Sequence, residues 1–513
     1  MSTETFNVAS YFLDRHIEEG LGERTALIAD DDPWSYARLA ELTNRVGHVL
    51  RDLGVLPEQR VLLALGDGPA FVATWYAALK IGAVTAEAYT FLPTKDYEYY
   101  LDYTRAAVAV VDGNTLERFR EARGHAGRLL VVGVPSDQLR IGETSFEAAV
   151  ADAPAQLDPA PTHRDGIAIW KFTTGSTGRP KACVHRMATP LESFEGYARG
   201  VLDIQPDDVV LPIPKLFFGY ARDMAALFPF GVGAAGIVFG ERTTPGLVFE
   251  LIERHRPTIL VQVPTMMRAM LDHPGAADHD LGCLRLCTSA GEALPRELYD
   301  EWRATLGVEV LDGIGSSEAY HIFISNRLGE VRPGTAGRTV PGYGARVVDE
   351  EGHSMPDGEV GRLWIEAPTA ALMYWNDREA SVQTYAGTTV MSGDLFVRDA
   401  DGYFTFQGRA DELVKVSGVW VAPFEVERAL LEHPDVVECA VVGVERGGLT
   451  VTRAHVVLRS GLDGSAELAQ ALTEFARGRL SPHKYPREIE FASELPKTGS
   501  GKVDRRALRS PAS

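Results

Sequence analysis

The sequence predicts an α/β protein whose large N-terminal domain is built on parallel-rich sheets. Three observations lead to this class: apolar strand-like runs alternate with helical segments before Pro333, short turn-rich strands follow, and a compact α+β pattern restarts near Glu412. Alternation of strands and helices is typical of parallel sheets that are covered by helices. A chain of 513 residues is also too long for one hydrophobic core, so two or more domains are expected.

The first elements are the clearest. RVLLALGD (60–67) predicts a buried strand, and the following PAFVATWYAALKIGAV (69–84) carries apolar residues at helical spacing. Further strands are predicted at 106–112, 128–134, 257–264 and 284–291. After Pro333, short strands between Gly, Pro and Asp turns predict an antiparallel β-barrel or sandwich portion.

The C-terminal part of the chain predicts a separate, small α+β domain. A helix and a strand are predicted in PFEVERALLEHPDVVECAVVGVE, a second strand at 452–460, and a helix over Ser465–Arg479. A unit of about 100 residues lies within the usual domain range. We therefore expect a large domain over 1–410 and a small C-terminal domain over 411–513.

Composition excludes several classes of protein. The net charge is −20, with 51 Lys and Arg against 71 Asp and Glu, which opposes an extended nucleic-acid interface. The first residues carry acidic side chains and no unbroken apolar core, so no signal peptide is predicted. The longest apolar run, Ala225 to Gly240, is too short and too interrupted to cross a membrane. Four cysteines without metal-binding spacing predict reduced thiols in a cytoplasmic protein.

The segment TTGSTGRPK, Thr173 to Lys181, is the first candidate functional motif. Its backbone amides, hydroxyls and one ammonium suit a chain of phosphate oxygens, and its glycines allow close approach of the backbone. It is not a P-loop, because Pro180 precedes the lysine and no Ser or Thr follows it. Taken alone, it is equally compatible with a hydrophilic turn. The segment PKTGSGK (496–502) similarly places Lys502 after a flexible GSG tether.

Other motifs occur between these two in a fixed order. They are SAGEALP (289–295), DGIGSSE (312–318), MSGD (391–394) and GRADELVKVSG (408–418). As an ordered set over nearly the whole chain, the motifs resemble the adenylate-forming superfamily of acyl- and aryl-CoA ligases, luciferases and adenylation domains. Within it, KLFFGYA, DGIGSSEAYHIFISN, RPGTAGRTVPGY and VKVSGVWVAPFEVE are similar to the benzoate–CoA ligase branch.

The resemblance implies an enzyme that uses ATP, Mg²⁺ and coenzyme A. A carboxylate attacks the α-phosphate of ATP to give an acyl-adenylate and pyrophosphate, and a thiol then attacks the acyl carbon and releases AMP. The matched catalytic positions are Lys181, Glu318 and Lys502, and Glu318 is also the matched metal ligand. Because the two reacting groups are both anionic, positioning and charge neutralisation are expected to dominate.

The resemblance also implies the residues that contact the nucleotide and the coenzyme. They are Thr173, Thr174, Gly175, Ser176, Thr177, Gly178, Gly291, Glu292, Asp312, Gly313, Ile314, Ser317, Asp394, Arg409, Lys415, Gly418 and Trp420. Asp394 would accept hydrogen bonds from both ribose hydroxyls, as a carboxylate can. The small domain is expected to rotate near Asp411 after adenylation, which would exchange Lys502 for the 415–420 segment.

The matched acid-binding positions predict a pocket for a flat aromatic ring. They are Phe217, Phe218, Gly219, Tyr220, Ala290, Gly315, His321 and Ile322. Aromatic rings pack well against such walls, and His321 would bond either a ring substituent or a backbone carbonyl. The neutral stretch usual after KLFF is replaced by GYARDM. Arg222 could reach the pocket, but a pair of Arg222 and Asp223 on an outward helix face is favoured, because a buried unpaired charge would be costly. An amino- or hydroxybenzoate, or a related aryl acid, is therefore favoured over unsubstituted benzoate.

Three alternatives remain open at this stage. The acyl acceptor could be a carrier-protein pantetheine instead of CoA, or a nitrogen nucleophile. A non-enzymatic nucleotide-binding role is disfavoured, because Lys502, Glu318 and Asp394 are all present. The partner is expected to be a small aromatic acid, without nucleic acid or membrane, and the protein a monomer or a homodimer.

Overall fold

The computed structural model describes residues 4–122, 128–174, 179–416, 419–446, 449–459, 461–482, 484–497 and 503–509. The chain divides into two units. The first comprises Met1–Ala345 and Ile365–Val390, and the second comprises Arg346–Trp364 and Met391–Ser513. The boundary at residue 411, near the expected hinge, stays a prediction.

The strands are short, as in most α/β proteins. In chain order they are β1 (Thr25–Ala29), β2 (Asp32–Ser35), β3 (Arg60–Ala64), β4 (Val84–Glu87), β5 (Val108–Asp112), β6 (Arg128–Val132), β7 (Glu143–Ser145), β8 (Ile167–Thr174), β9 (Pro180–Arg186), β10 (Val209–Pro212), β11 (Ala235–Val238), β12 (Ile259–Gln262), β13 (Leu286–Ser289), β14 (Val310–Gly315), β15 (Ile322–Ser325), β16 (Arg338–Thr339), β17 (Gly344–Val348), β18 (Val360–Glu366), β19 (Met373–Tyr374), β20 (Tyr385–Ala386), β21 (Thr389–Arg398), β22 (Phe404–Arg409), β23 (Val414–Val416), β24 (Val419–Val421), β25 (Val436–Arg446), β26 (Leu449–Leu458) and β27 (Glu488–Phe491).

The α-helices connect these strands. They are α1 (Arg15–Glu18), α2 (Tyr36–Asp52), α3 (Pro69–Lys80), α4 (Thr94–Thr104), α5 (Leu116–Glu121), α6 (Phe146–Asp152), α7 (Thr189–Ser193), α8 (Gly219–Ala226), α9 (Pro245–His255), α10 (Pro264–Leu271), α11 (Arg296–Leu306), α12 (Arg378–Thr384), α13 (Pro423–Leu431), α14 (Ala466–Arg477) and α15 (Arg505–Arg509).

The first unit is built on two large sheets, as the alternating pattern predicts. One has the strand order β7-β6-β5-β3-β4-β8-β9-β19, and the other has the order β2-β1-β11-β10-β12-β13-β14-β15-β16. The central pairs of both sheets are parallel, and antiparallel pairs lie at one edge of the first sheet and at both edges of the second. The fully buried strands read as continuous apolar runs, because helices cover parallel sheets on both faces.

Within each sheet, this topology brings the ends of neighbouring parallel strands to one edge. Strands β4 and β8 are parallel neighbours in the first sheet, and β13 and β14 are parallel neighbours in the second. In open α/β sheets, ligands bind beyond the carboxyl ends of the strands. The predicted motifs follow the ends of β8, β13 and β14, where loops are free to carry functional side chains.

The later part of the chain is antiparallel, as predicted after Pro333. Strand β20 pairs with β21, and β21 pairs with β22, both in antiparallel register. In the second unit β25 and β26 form a long antiparallel pair, and β27 adds to β26 in parallel. Helices α13 and α14 cover this sheet through Val426, Leu430 and Leu472, which are fully buried. The predicted small α+β pattern is thus present.

The four cysteines are free, and Cys183, Cys287 and Cys439 are buried. Across the part of the chain that the structure describes, no helix combines the length and the apolar character that crossing a membrane requires.

Candidate active site

The predicted phosphate loop sits at the turn of a β-hairpin. Strand β8 pairs with β9 so that Thr173 lies opposite Lys181 and Thr174 opposite Pro180. Residues Gly175, Ser176, Thr177 and Gly178, together with the side chain of Thr174, lie outside the described residues. The pairing of β8 with β9 therefore fixes the two described ends of this segment.

The ammonium of Lys181 lies near two residues that the sequence analysis did not identify, Asp377 and Tyr374. Its Nζ lies 3.0 Å from Oδ2 of Asp377 and 5.4 Å from the centre of the Tyr374 ring. The hydrogen bond from Lys181 holds the pKa of Asp377 below its usual value. Asp377 also caps α12, since its side chain accepts from the backbone of Ala380. The pattern around Asp377 could have predicted this cap, but not the contact with Lys181.

Glu318 lies in the loop between β14 and β15, and it meets the same tyrosine. The hydroxyl of Tyr374 donates to Oε1 of Glu318 at 2.8 Å. Tyr374 therefore contacts both the predicted phosphate-loop lysine, Lys181, and the predicted magnesium carboxylate, Glu318, which lie far apart in the sequence. Carboxylate oxygens are ligands that Mg²⁺ prefers, usually together with substrate phosphates. The donor chemistry at Glu318 thus fits that ion.

Ser317 ties the same loop to β8 and β9. Its hydroxyl donates to the carbonyl of Phe172 at 3.1 Å, and Nε2 of His185 lies 2.7 Å from the carbonyl of Ser317. Burial lowers the pKa of His185 to about 3, so its imidazole is neutral at physiological pH. A neutral imidazole donates through Nε2 to this carbonyl, which fixes the position of Ser317.

The predicted nucleotide-framing residues lie at the ends of β13 and β14. Ser289 pairs in register with Asp312, and burial raises the pKa of Asp312 to about 8. Gly291 follows β13 with φ +89°, a conformation that favours glycine. Glu292 accepts a hydrogen bond from Thr265 at 2.6 Å. Strand β14 carries the predicted nucleotide residues Gly313 and Ile314 as well as Asp312.

The aromatic side chains among the predicted acid-pocket residues fall into two groups. The first group lies just before α8. Phe217 and Phe218 pack with Tyr89, their ring centres lying 5.3 and 4.9 Å from it. Phe91 packs on Phe217 at 5.7 Å. Tyr89 and Phe91 follow β4 in a loop that gave no sequence signal for this site. These rings form one aromatic wall.

The second aromatic group surrounds His321. Its ring packs against Phe228, Tyr197 and Tyr220 at 4.8, 5.3 and 5.5 Å between centres. The hydroxyl of Tyr220 hydrogen-bonds Oγ1 of Thr288 at 2.6 Å. Ala290 and Ile322 are buried, and Gly315 is required because a Cβ there would lie 2.5 Å from the carbonyl of His321.

The two nitrogens of His321 differ in their surroundings. Nε2 lies 3.5 Å from the carbonyl of Tyr220, at the limit of a hydrogen bond. Nδ1 is buried, and none of the described residues gives it a partner. Burial lowers the pKa of His321 to about 3, so the ring is neutral and offers one donor and one acceptor.

Arg222 pairs with Asp223, but the expected outward helix face is wrong. Both side chains are buried, at 2% and 0% exposure. Nε and Nη2 of Arg222 donate to Oδ1 of Asp223 at 3.0 and 2.8 Å, and Nη1 donates to Oε1 of Glu87 at 2.7 Å. These charges can be buried only because each has a partner of opposite sign. The guanidinium of Arg222 is thereby held by Asp223 and Glu87.

The remaining predicted residues lie in the second unit. Nη1 of Arg409 donates to Oδ1 of Asp394 at 3.0 Å, and its Nε donates to Oδ1 of Asp411 at 2.9 Å. Lys415 and Trp420 face each other across β23 and β24, with Nζ 5.5 Å from the ring. Trp420 is 58% exposed, which is unusual for so large an apolar ring. Gly418 and Lys502 lie outside the described residues.

Comparison with known proteins adds to this geometry. The family model described as AMP-binding enzyme matches residues 13–375, and that of the AMP-binding enzyme C-terminal domain matches 425–502. A benzoate–CoA ligase of Thauera aromatica is 41% identical over 510 residues, 99% of this chain and 96% of the relative. A 4-hydroxybenzoate–CoA/benzoate–CoA ligase of Rhodopseudomonas palustris is 37% identical over 517 residues, with 99% and 95% covered.

A solved structure gives the same result for the fold. The anthranilate–CoA ligase AuaEII, in complex with anthranoyl-AMP, superposes with a TM-score of 0.92 at 35% identity, and covers 99% of this chain and 98% of its own. The chain belongs to the AMP-binding enzyme family, the adenylate-forming superfamily, and within it to the benzoate–CoA ligase branch.

Proposed function

We propose that the protein activates a benzoate with a polar ring substituent, and that His321 recognises this substituent. As a member of its branch, the chain is an AMP-forming acid–thiol ligase that activates an aryl acid with ATP and transfers it to coenzyme A. One observation supports this substrate class. Nδ1 of His321 is buried and has no hydrogen-bond partner among the described residues, and aromatic rings surround the imidazole. A ring hydroxyl or amino group would supply that partner.

The first step needs charge neutralisation around the triphosphate. Lys181 would contact the β- and γ-phosphates at the mouth of the hairpin, and Glu318 would hold Mg²⁺. Support for this pairing comes from Tyr374, which contacts both side chains. Mg²⁺, when bound, supplies positive charge next to the phosphates. Lys502 would bring an ammonium to the α-phosphate and the attacking carboxylate, where negative charge concentrates.

The second step is proposed to follow a rotation of the C-terminal domain about Asp411. Arg409 bonds Asp394 on one side and Asp411 on the other, so the expected ribose ligand and the expected hinge share one guanidinium. Rotation would withdraw Lys502 and present Lys415–Trp420 to the pantetheine. A carrier-protein pantetheine or a nitrogen nucleophile remains the alternative acceptor, and the cytoplasmic location and the monomeric or dimeric state stay predictions.

The proposal is tested with a panel of benzoates, cinnamates, phenylacetates and short fatty acids, with and without CoA. AMP, pyrophosphate and the thioester are each quantified. A CoA thioester of an amino- or hydroxybenzoate is the expected product. Pyrophosphate release without a thioester would move the acceptor to a carrier protein or a nitrogen nucleophile, and turnover of fatty acids alone would contradict the aromatic pocket.

Two substitutions of His321 test the recognition of the ring substituent. His321→Leu removes the unpaired nitrogen, and kcat/KM for the substituted benzoate is expected to fall roughly 10- to 100-fold relative to benzoate, because the substituent loses its partner. His321→Asn keeps a nitrogen and an oxygen close to the position of Nδ1 and is expected to retain more of the preference. Equal losses on both acids in His321→Leu would show that the imidazole only fills space.

A further inference from the structure

Four ionised side chains form a buried ion cluster in the first unit: Glu87, Lys171, Arg222 and Asp223. Arg222 bonds both carboxylates, as described above. Nζ of Lys171 lies 2.7 Å from Oδ2 of Asp223. Nε1 of Trp75 donates to Glu87 at 2.8 Å. The two positive and two negative charges balance, and every member of the cluster is hydrogen-bonded.

The cluster connects three segments that carry predicted site residues. Lys171 lies in β8, two residues before Thr173 of the phosphate loop. Asp223 lies in α8, which begins with the acid-pocket residues Gly219 and Tyr220. A Cβ on Gly219 would lie only 2.7 Å from Nζ of Lys171, so the ammonium lies directly against this segment.

Tyr320 is the third connection, in the loop that holds Glu318 and His321. Nζ of Lys171 donates to the carbonyl of Tyr320 at 2.7 Å and lies 3.5 Å from the centre of its ring. The hydroxyl of Tyr320 donates to Oδ1 of Asp223 at 3.3 Å. Tyr320 has φ +74°, a conformation that a bulky residue adopts only when its surroundings impose it.

We propose that the buried ion cluster aligns the active site, with Lys171 as a positioning residue that holds Tyr320 and thereby fixes Glu318 and His321 relative to the phosphate loop. This inference rests on the proposed roles of those residues. Buried ion pairs contribute little to stability compared with apolar residues of the same volume, so the cluster is poorly explained as a stabilising device. Alignment of reacting groups, by contrast, has large effects on rate.

The protonation state of the cluster follows from its surroundings. Burial alone would raise the pKa of Asp223, but Arg222 and Lys171 outweigh it and hold this pKa below its usual value. Burial lowers the pKa of Lys171 from 10.5 to about 8, and Asp223 offsets this only in part. Burial alone would lower the pKa of Arg222, but Asp223 and Glu87 outweigh it and hold this pKa above its usual value. Burial raises the pKa of Tyr320 well above its usual value, and it lowers the pKa values of His185 and His321 to about 3, so these groups keep their charge state near pH 8.

Lys171→Met is the first test, and the chain offers a matched control. Lys80 is also buried and also bonds a carboxylate and a carbonyl-type oxygen, those of Asp14 and Asn44, at 2.7 and 2.6 Å. Lys171→Met is expected to lower the pyrophosphate release rate on the order of 10²-fold and to weaken ATP binding, measured by calorimetry. Lys80→Met is expected to lower the unfolding temperature while leaving the rate per folded enzyme within about twofold of wild type.

A double variant separates alignment from folding. Lys171→Met with Asp223→Asn removes one charge of each sign, so Arg222 and Glu87 still balance. We expect this variant to regain the unfolding temperature lost in Lys171→Met but not the rate, because Tyr320 has lost its ammonium. Recovery of the rate together with the unfolding temperature would overturn the proposal, as would a Lys171→Met rate no lower than that of Lys80→Met.

The pH dependence gives a second readout. Because the pKa of Lys171 is lower in the folded than in the unfolded chain, the unfolded chain binds more protons between about pH 8 and 10, and this group makes stability rise with pH there. The rate is expected to fall over the same range as the ammonium is lost. If Lys171 had only a structural role, the rate and the stability would change in the same direction as the pH rises. Wild-type turnover of the acid panel tests the proposed function separately, and the calorimetric ATP affinity tests the alignment whether or not an acid is turned over.

Discussion

Lys502→Ala is expected to lower the rate of adenylate formation roughly 10²- to 10³-fold, since it removes one preorganised positive charge from the phosphate where charge develops. The thioester-forming step is expected to remain close to wild type when the aryl-adenylate is supplied ready-made, because the proposed rotation withdraws Lys502 before that step. Pyrophosphate release from ATP and thioester formation from the synthetic adenylate measure the two steps separately.

Lys497→Ala is the matched control for Lys502. It lies five residues earlier in the same PKTGSGK segment, and its ammonium pairs with Glu438. Because that pair is partly exposed, its loss is expected to change both steps little. Equal losses of both steps in Lys502→Ala, or an equal effect of Lys497→Ala, would contradict the assignment of Lys502 to the first step.

Glu318→Gln is expected to lower the adenylation rate by roughly 10²- to 10³-fold, because the proposed Mg²⁺ ligand, worth several kcal/mol of transition-state stabilisation, would lose its charge. The Mg²⁺ concentration for half-maximal rate is expected to rise in parallel. Titration of the rate with Mg²⁺, and calorimetry of Mg²⁺·ATP binding, measure these two quantities.

Tyr374→Phe is the control that keeps the carboxylate. It removes only the hydrogen bond to Oε1 of Glu318, which is worth about 1.5–3 kcal/mol for a charged acceptor. A loss of about tenfold, with a smaller change in Mg²⁺ dependence than in Glu318→Gln, is expected. An unchanged Mg²⁺ requirement in Glu318→Gln would remove the metal-ligand role from this residue.

Local patterns were sufficient for the fold. The spacing of apolar residues predicts β3 (Arg60–Ala64) and α3 (Pro69–Lys80) close to their observed bounds. This is possible because buried strands and helices each place apolar residues at a characteristic spacing in the sequence. The ordered motifs place the candidate site residues at the ends of β8, β13 and β14 for the same reason, since each motif directly follows an apolar run. The catalytic roles of those residues stay predictions.

Partners far apart in sequence leave no such pattern. Tyr374 contacts Glu318 across 56 positions, and Glu87 contacts Arg222 across 135. Two adjacent charges, Arg222 and Asp223, are usually found at a surface, so the sequence alone favoured an outward face. Their burial depends on Glu87 and Lys171, which only the packing of β4 and β8 brings to α8. Tyr89 likewise reaches the predicted acid-pocket residues Phe217 and Phe218 only through the packing of distant segments.

The buried ion cluster limits which substitutions this sequence can accept. Removing any one of Glu87, Lys171, Arg222 or Asp223 leaves an uncompensated buried charge, which costs about 3–5 kcal/mol, a large part of the ordinary stability of about 5–15 kcal/mol. Tolerated substitutions are therefore expected to arrive as opposite-sign pairs, with strong non-additivity between the members. A variant with apolar residues at 222 and 223 would also have to replace Glu87 in β4 and Lys171 in β8, because each would otherwise be a buried charge without its partner. The interior of the first sheet and the helix that carries the predicted acid-pocket residues Gly219 and Tyr220 are therefore expected to change together.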